Sequence, residues 1–85
     1  MCTKSMKIGI PGGLDPTTIA MFIQIASEYE SSVYVEVQNK KINAKSIMGM
    51  MTLGLKQGEE ISVCADGDDE EAVVSHIEKY VNNQL

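Results

Sequence analysis

Ser46 heads the run Lys45-Ser46-Ile47-Met48-Gly49-Met50-Met51-Thr52-Leu53-Gly54, and its hydroxyl there could do one of two things. Serine is a preferred N-cap, able to accept from a free amide in the first turn of the helix that follows. The same hydroxyl could instead take a phosphoryl group. A phosphate at this point would face the free amides and the positive dipole end of the helix, with Lys45 adjacent, so the fold could hold it while the surface charge changed. The residues alone leave both readings open.

Asp15-Pro16 poses a similar choice. Aspartate at an N-cap with proline at N1 explains both residues by one mechanism, because the carboxylate accepts from orphan amides and proline gives up no needed donor. Aspartyl phosphorylation would instead require a magnesium site built from neighbouring acids, with a lysine nearby, and Gly12, Gly13 and Thr17 supply neither. The carboxylate also occupies the positive end of the dipole, which disfavours a bound anion. His76 lies beside an apolar stripe far along the chain from Asp15 and reads as a flank residue rather than a phosphoryl acceptor. Cys2 and Cys64 have no metal or redox spacing, and Gly67 is misplaced for a calcium loop in the acidic stretch from Asp66 to Glu71, so no metal or cofactor is expected.

Met48 and Met51 are three apart on a helix of barely two turns, which cannot bury all of Ile47, Met48, Met50, Met51 and Leu53. Part of this surface should be exposed. Flexible methionine suits either irregular core filling or docking onto more than one partner, and both roles stand at this point.

The elements that must position these residues follow from the hydrophobic period. Met6, Ile8 and Ile10 alternate with Lys7 and Gly9 as in a strand, which Pro11-Gly12-Gly13 stops. A helix from Pro16 presents Ile19, Phe22, Ile23 and Ala26 on one face. Val33 to Val37 alternate as a strand, Gln38-Asn39-Lys40 make a tight connection, and Lys41 to Ala44 return. Ile47 to Leu53 form the short helix, and Ile61 to Ala65 a last strand with Cys64 facing away from Val63 and Ala65. An acidic turn then precedes a helix from Glu70 to about Asn83, striped by Val73, Val74, Ile77 and Val81. The order βαββαβα, with strands polar on one side, predicts an α+β open-faced sandwich, its four-stranded antiparallel sheet covered by three helices on one face.

Length and charge narrow the function classes. Eighty-five residues supply one core, so a single domain over residues 1–85 is expected to carry every function on one surface. A net charge of -5 with no arginine disfavours direct nucleic-acid binding, which depends on neutralising phosphates. No apolar run is long enough to span a bilayer, no secretory leader is evident, and a cytoplasmic location is the expectation.

The block Asn43-Ala44-Lys45-Ser46-Ile47-Met48-Gly49, with Leu53-Gly54, Gln57-Gly58, Glu60-Ile61 and Ala65-Asp66-Gly67, closely resembles the HPr family. These are phosphocarriers of the bacterial sugar phosphotransferase system. The similarity runs in one register from Gly13-Leu14 through Gln24 and Ala26 to the last helix. In that family the Gly-Leu pair precedes the active histidine, with an arginine two positions on and a proline after it, and here those positions hold Asp15, Thr17 and Thr18. Without an imidazole to attack and a guanidinium to hold phosphoryl oxygens, histidine phosphotransfer at this site is excluded and no catalytic residue is assigned.

The retained serine and lost histidine resemble Crh, the family's catabolite-repression branch. That resemblance implies a non-enzymatic regulator phosphorylated on Ser46 by HPr kinase/phosphorylase and bound by a catabolite control repressor. It implies a docking surface of Thr17, Ala20, Met21 and Gln24 on the first helix and Ile47, Met48 and Met51 on the second. Two alternatives stay open: a phosphotransferase-system acceptor using Asp15 or another non-histidine residue, and a binding module of a specialised operon in which Ser46 is only a cap.

Overall fold

A computed structural model of the chain describes residues 1–83. The chain runs β1 (Cys2–Lys7), α1 (Pro16–Ser27), β2 (Ser32–Val37), β3 (Lys40–Asn43), α2 (Ile47–Met51), β4 (Glu60–Asp66) and α3 (Glu70–Val81), the expected βαββαβα order. The strands form one antiparallel sheet in the order β1-β4-β2-β3. Strand alternation sorts the two faces. Met6, Val33, Val35, Ile61, Val63 and Ala65 point to the helices and are buried with Ile19, Phe22, Ile25, Val73 and Ile77. The other face is polar: Ser5 and Ser62 share a hydroxyl hydrogen bond of 3.2 Å, and the Lys41 ammonium lies 4.9 Å from the centre of the Tyr34 ring.

The first strand departs from the sequence expectation of Met6 to Ile10. It begins at Cys2 and leaves the ladder after Lys7. Only one side of β1 pairs, with β4, so its polar Thr3, Lys4 and Ser5 cost little at the sheet edge. Ile8 follows in the core, with Ile10 packed partly buried against it. The Ile8 amide donates to the Glu59 carbonyl at 2.9 Å, and Gly9 donates to Val81 at 2.7 Å.

Three smaller corrections have local causes. Ile25, not Ile23, is buried on α1, together with Thr18, because the helix packs against both α3 and α2. Lys40 already pairs with Val37, so the hairpin connection is Gln38-Asn39, with Gln38 in the left-handed region. The short helix stops at Met51, Thr52 caps it, and Gly54 at φ +55° turns the chain away. Cys64 faces away from Val63 and Ala65 as expected, yet it is buried, lying between Thr3 and Tyr34 on the polar face.

Asp69 joins the α1–β2 connection to the start of α3. Its side chain makes no cap bond to α3. Instead it accepts from the Glu30 amide at 2.9 Å, from the Ser31 amide at 3.0 Å and from the buried Ser31 hydroxyl. Bonding from that hydroxyl, ahead of the Glu30 amide, holds the Asp69 carboxyl below the usual carboxylate range. A carboxyl lowered by folding stabilises the native state above its unfolded-chain pKa, and the contribution disappears as pH falls through the folded-state value.

Thermal melts taken from neutral pH downward should therefore lose stability on the acid side of the carboxylate range. Asp69→Asn, which sets an amide donor against other donors, should lower the melting temperature at neutral pH and flatten part of that acid limb. An unchanged limb in the variant would assign the whole effect to other carboxyls.

Candidate functional site

The sequence-predicted residues lie on α1 and α2, which pack on each other, and on the loops that lead into them. The first loop is shaped by glycine. Gly12 and Gly13 have φ of +86° and +74°, and a Cβ on Gly13 would overlap the Leu55 carbonyl oxygen and lie 2.7 Å from Lys56 Cα. The Leu14 amide donates to that same carbonyl at 2.9 Å, which seats the loop on the chain just after α2.

Asp15 then starts α1. Its Oδ1 accepts from the Thr18 amide at 2.8 Å, with Pro16 at the first helical position, so its carboxylate is the expected N-cap. The Thr18 amide, then the Thr18 hydroxyl, hold the carboxyl below its ordinary range. Asp15 remains exposed, and among the described residues it takes part in no ion pair.

Ser46 caps α2 in the same manner, its Oγ accepting from the Gly49 amide at 3.3 Å. An asparagine-led turn prepares it: the Lys45 amide donates to Asn43 Oδ1 at 2.8 Å and the Ser46 amide to the Asn43 carbonyl at 3.0 Å. Gly49 lets the helix lie against β3, since a Cβ there would be 2.8 Å from Ile42 Cγ2. Lys45, which the sequence placed beside Ser46, is engaged elsewhere, its ammonium donating to the Tyr29 carbonyl at 2.8 Å.

The methionine-rich helix buries one of its methionines and exposes the others. Met50 is fully buried, whereas Ile47, Met48 and Met51 are 57%, 80% and 48% exposed. On α1, Met21 is 44% exposed, and Thr17, Ala20 and Gln24 are also on the surface. Because α1 packs on α2, all seven belong to adjoining helices.

His76 lies apart from this surface. It is half-buried on α3, and its Nδ1 shares a 2.9 Å hydrogen bond with the hydroxyl of Tyr29, just past the C-terminal end of α1. Asp15 begins that same 12-residue helix, which puts about 18 Å of helix between the two. The sequence reading missed Tyr80, whose hydroxyl reaches the Thr18 carbonyl at 3.5 Å and whose partial burial raises its pKa. No periodic signal marks it, because it flanks the α3 stripe rather than forming part of it.

Comparison with known proteins matches residues 2–83 to the family described as the PTS HPr component phosphorylation site. HPr-like protein Crh of Bacillus subtilis is 34% identical over the full length of both chains. Crh of Halalkalibacterium halodurans is 37% identical over 93% of this chain and 99% of its own. Among solved structures, HPr-C-His from Thermoanaerobacter tengcongensis superposes with a TM-score of 0.92 at 39% identity, covering 99% of this chain and 94% of that one.

Proposed function

Because this chain belongs to the HPr family, whose members are phosphocarrier and regulatory proteins rather than classical enzymes, we propose that it is a regulatory member controlled at Ser46. In this reading HPr kinase/phosphorylase phosphorylates Ser46, a catabolite control repressor binds the product, and no histidine phosphotransfer takes place. The observation that carries it is the contrast between two family positions. Asp15 is a capping carboxylate with Thr17 beside it, a pair that supplies neither an imidazole nucleophile nor a guanidinium clamp. Ser46 keeps a hydroxyl at a helix start within an exposed apolar surface.

The chemistry at Ser46 is compatible with this role. A phosphoryl group on Oγ would exchange one weak cap bond for charge-assisted bonds to the first-turn amides, so α2 would survive the modification. Its dianion would then stand beside Ile47 and Met48, giving a partner both a charge and an apolar anchor to recognise.

The test is incubation with HPr kinase/phosphorylase and ATP, followed by mapping of the modified residue. One phosphate on Ser46, absent in Ser46→Ala, is the expected result. That substitution should also cost about 1 kcal/mol of stability through the lost cap, and Ser46→Gly only a few tenths, as read by denaturant melts. A parallel incubation with phosphoenolpyruvate and enzyme I should leave the chain unlabelled, and label on Asp15 or elsewhere would favour the phosphoryl-acceptor alternative. Resistance of Ser46 to the kinase would favour a binding module in which the serine only caps.

A further inference from the structure

The surface that would meet a partner is almost free of charge. The protein has seven lysines and twelve acids, yet none lies in α1 (Pro16–Ser27) or from Ser46 to Leu55. The chain from Ile8 to Leu14 is likewise uncharged. Asp15 is the one ionised side chain between Ile8 and Ser27, and it sits where the Leu14–Leu55 hydrogen bond joins the loop to the end of α2. It starts the helix that carries exposed Met21, and its loop is bonded to the chain that follows exposed Ile47, Met48 and Met51.

On such a surface Asp15 is the one carboxylate a partner must match; Lys56 follows Leu55 beside the Gly13 loop, and a phosphoryl group on Ser46 would add a second anion. Covering Asp15 with an apolar group would strip water from a carboxylate whose internal partners are neutral donors of the first helical turn, and covering it with an acid would add repulsion. A cationic group opposite it removes both penalties.

From this charge pattern we infer that the partner docking on the α1–α2 surface presents a lysine or arginine to Asp15, so that Asp15 is the residue that selects basic partners for this chain. The inference rests on the proposed function and refines it. Ser46 phosphorylation would decide when the surface is occupied, and Asp15 decides by whom. Thr17, the uncharged second residue of α1, leaves the carboxylate free to be paired from outside rather than from its own chain.

Capping chemistry provides clean variants. Asparagine and serine cap as well as aspartate, so Asp15→Asn and Asp15→Ser remove the charge while keeping an acceptor for the Thr18 amide. Thr17→Lys leaves the cap untouched and sets an internal cation beside it.

The experiment measures binding of Ser46-phosphorylated wild type and the three variants to the catabolite control repressor across a range of salt concentrations, with melting curves confirming the fold. Asp15→Asn and Asp15→Ser are each expected to weaken binding about tenfold at low salt and to give a flatter salt dependence than wild type. Thr17→Lys should weaken it at least as much. Equal affinities and parallel salt slopes in wild type and both cap-preserving variants would overturn the inference while leaving the proposed function in place. Failure of the phosphorylated wild type to bind the repressor would overturn both.

Discussion

Gly13→Ala should lower the melting temperature by roughly 15 °C, the largest loss expected from adding a single methyl group to this protein. Two costs combine. Alanine at φ +74° pays about 1–2 kcal/mol for a left-handed backbone, and the new methyl must displace the Leu55 and Lys56 backbone, a typical overpacking cost of roughly 1–3 kcal/mol. The sum is about 3 kcal/mol. Gly12→Ala separates the two costs, because Gly12 shares the positive φ but has nothing within 4 Å of its Cβ direction, so only the conformational cost should appear. Equal melting temperatures for the two variants would mean that the Leu55 segment yields without cost. Since that segment also anchors the loop carrying Asp15, Gly13→Ala should weaken partner binding beyond its effect on stability.

Phe22→Ala should remove about 4 kcal/mol, a large share of the roughly 5–15 kcal/mol that holds a domain of this kind folded. Phe22 is fully buried on α1, and the ring is the largest of the fully buried side chains, sitting in the core cluster shared by the sheet and the helices. Its truncation leaves a cavity that rigid strands on one side cannot close. Urea denaturation should show an earlier midpoint with an unchanged slope, and a change in slope would point instead to an altered denatured state. Loss under about 1 kcal/mol would show that α1 can collapse into the space.

Much of this architecture follows from local rules that the sequence displays openly. Asp15-Pro16 and Ser46 signal their caps because each places a short oxygen-bearing side chain ahead of an apolar period, and both caps form. The α3 stripe of Val73, Val74, Ile77 and Val81 is buried in full, since its 3.6-residue period has no competing pattern.

Where the reading failed, tertiary pairing outweighed local pattern. Met6, Ile8 and Ile10 alternate like a strand, but only Met6 lies in the ladder, and the polar run Thr3-Lys4-Ser5 supplies the rest of β1 because β4 provides the partner. The division of Met50 from Met48 and Met51 depends on which side of a five-residue helix meets β3 and α1, information that a stretch with so little periodicity does not hold. The sequence places Lys45 beside Ser46 and Asp69 in the acidic turn, whereas in the fold both bond to the connection from Tyr29 to Ser31. Side chains with several donors or acceptors are satisfied by whatever backbone the fold brings near, and a chain read in one dimension does not display that backbone.

The strand order has a consequence for how the polypeptide is made. Lys7 pairs with Glu60 and Cys2 with Ala65, so β1 must wait for roughly fifty to sixty further residues to be made before β4, its ladder partner among the described residues, exists. At ~5–20 residues per second the wait is roughly 3–12 s. The β2–β3 hairpin needs no such delay, so synthesis favours a nascent chain that condenses around its middle and admits its amino-terminal strand last.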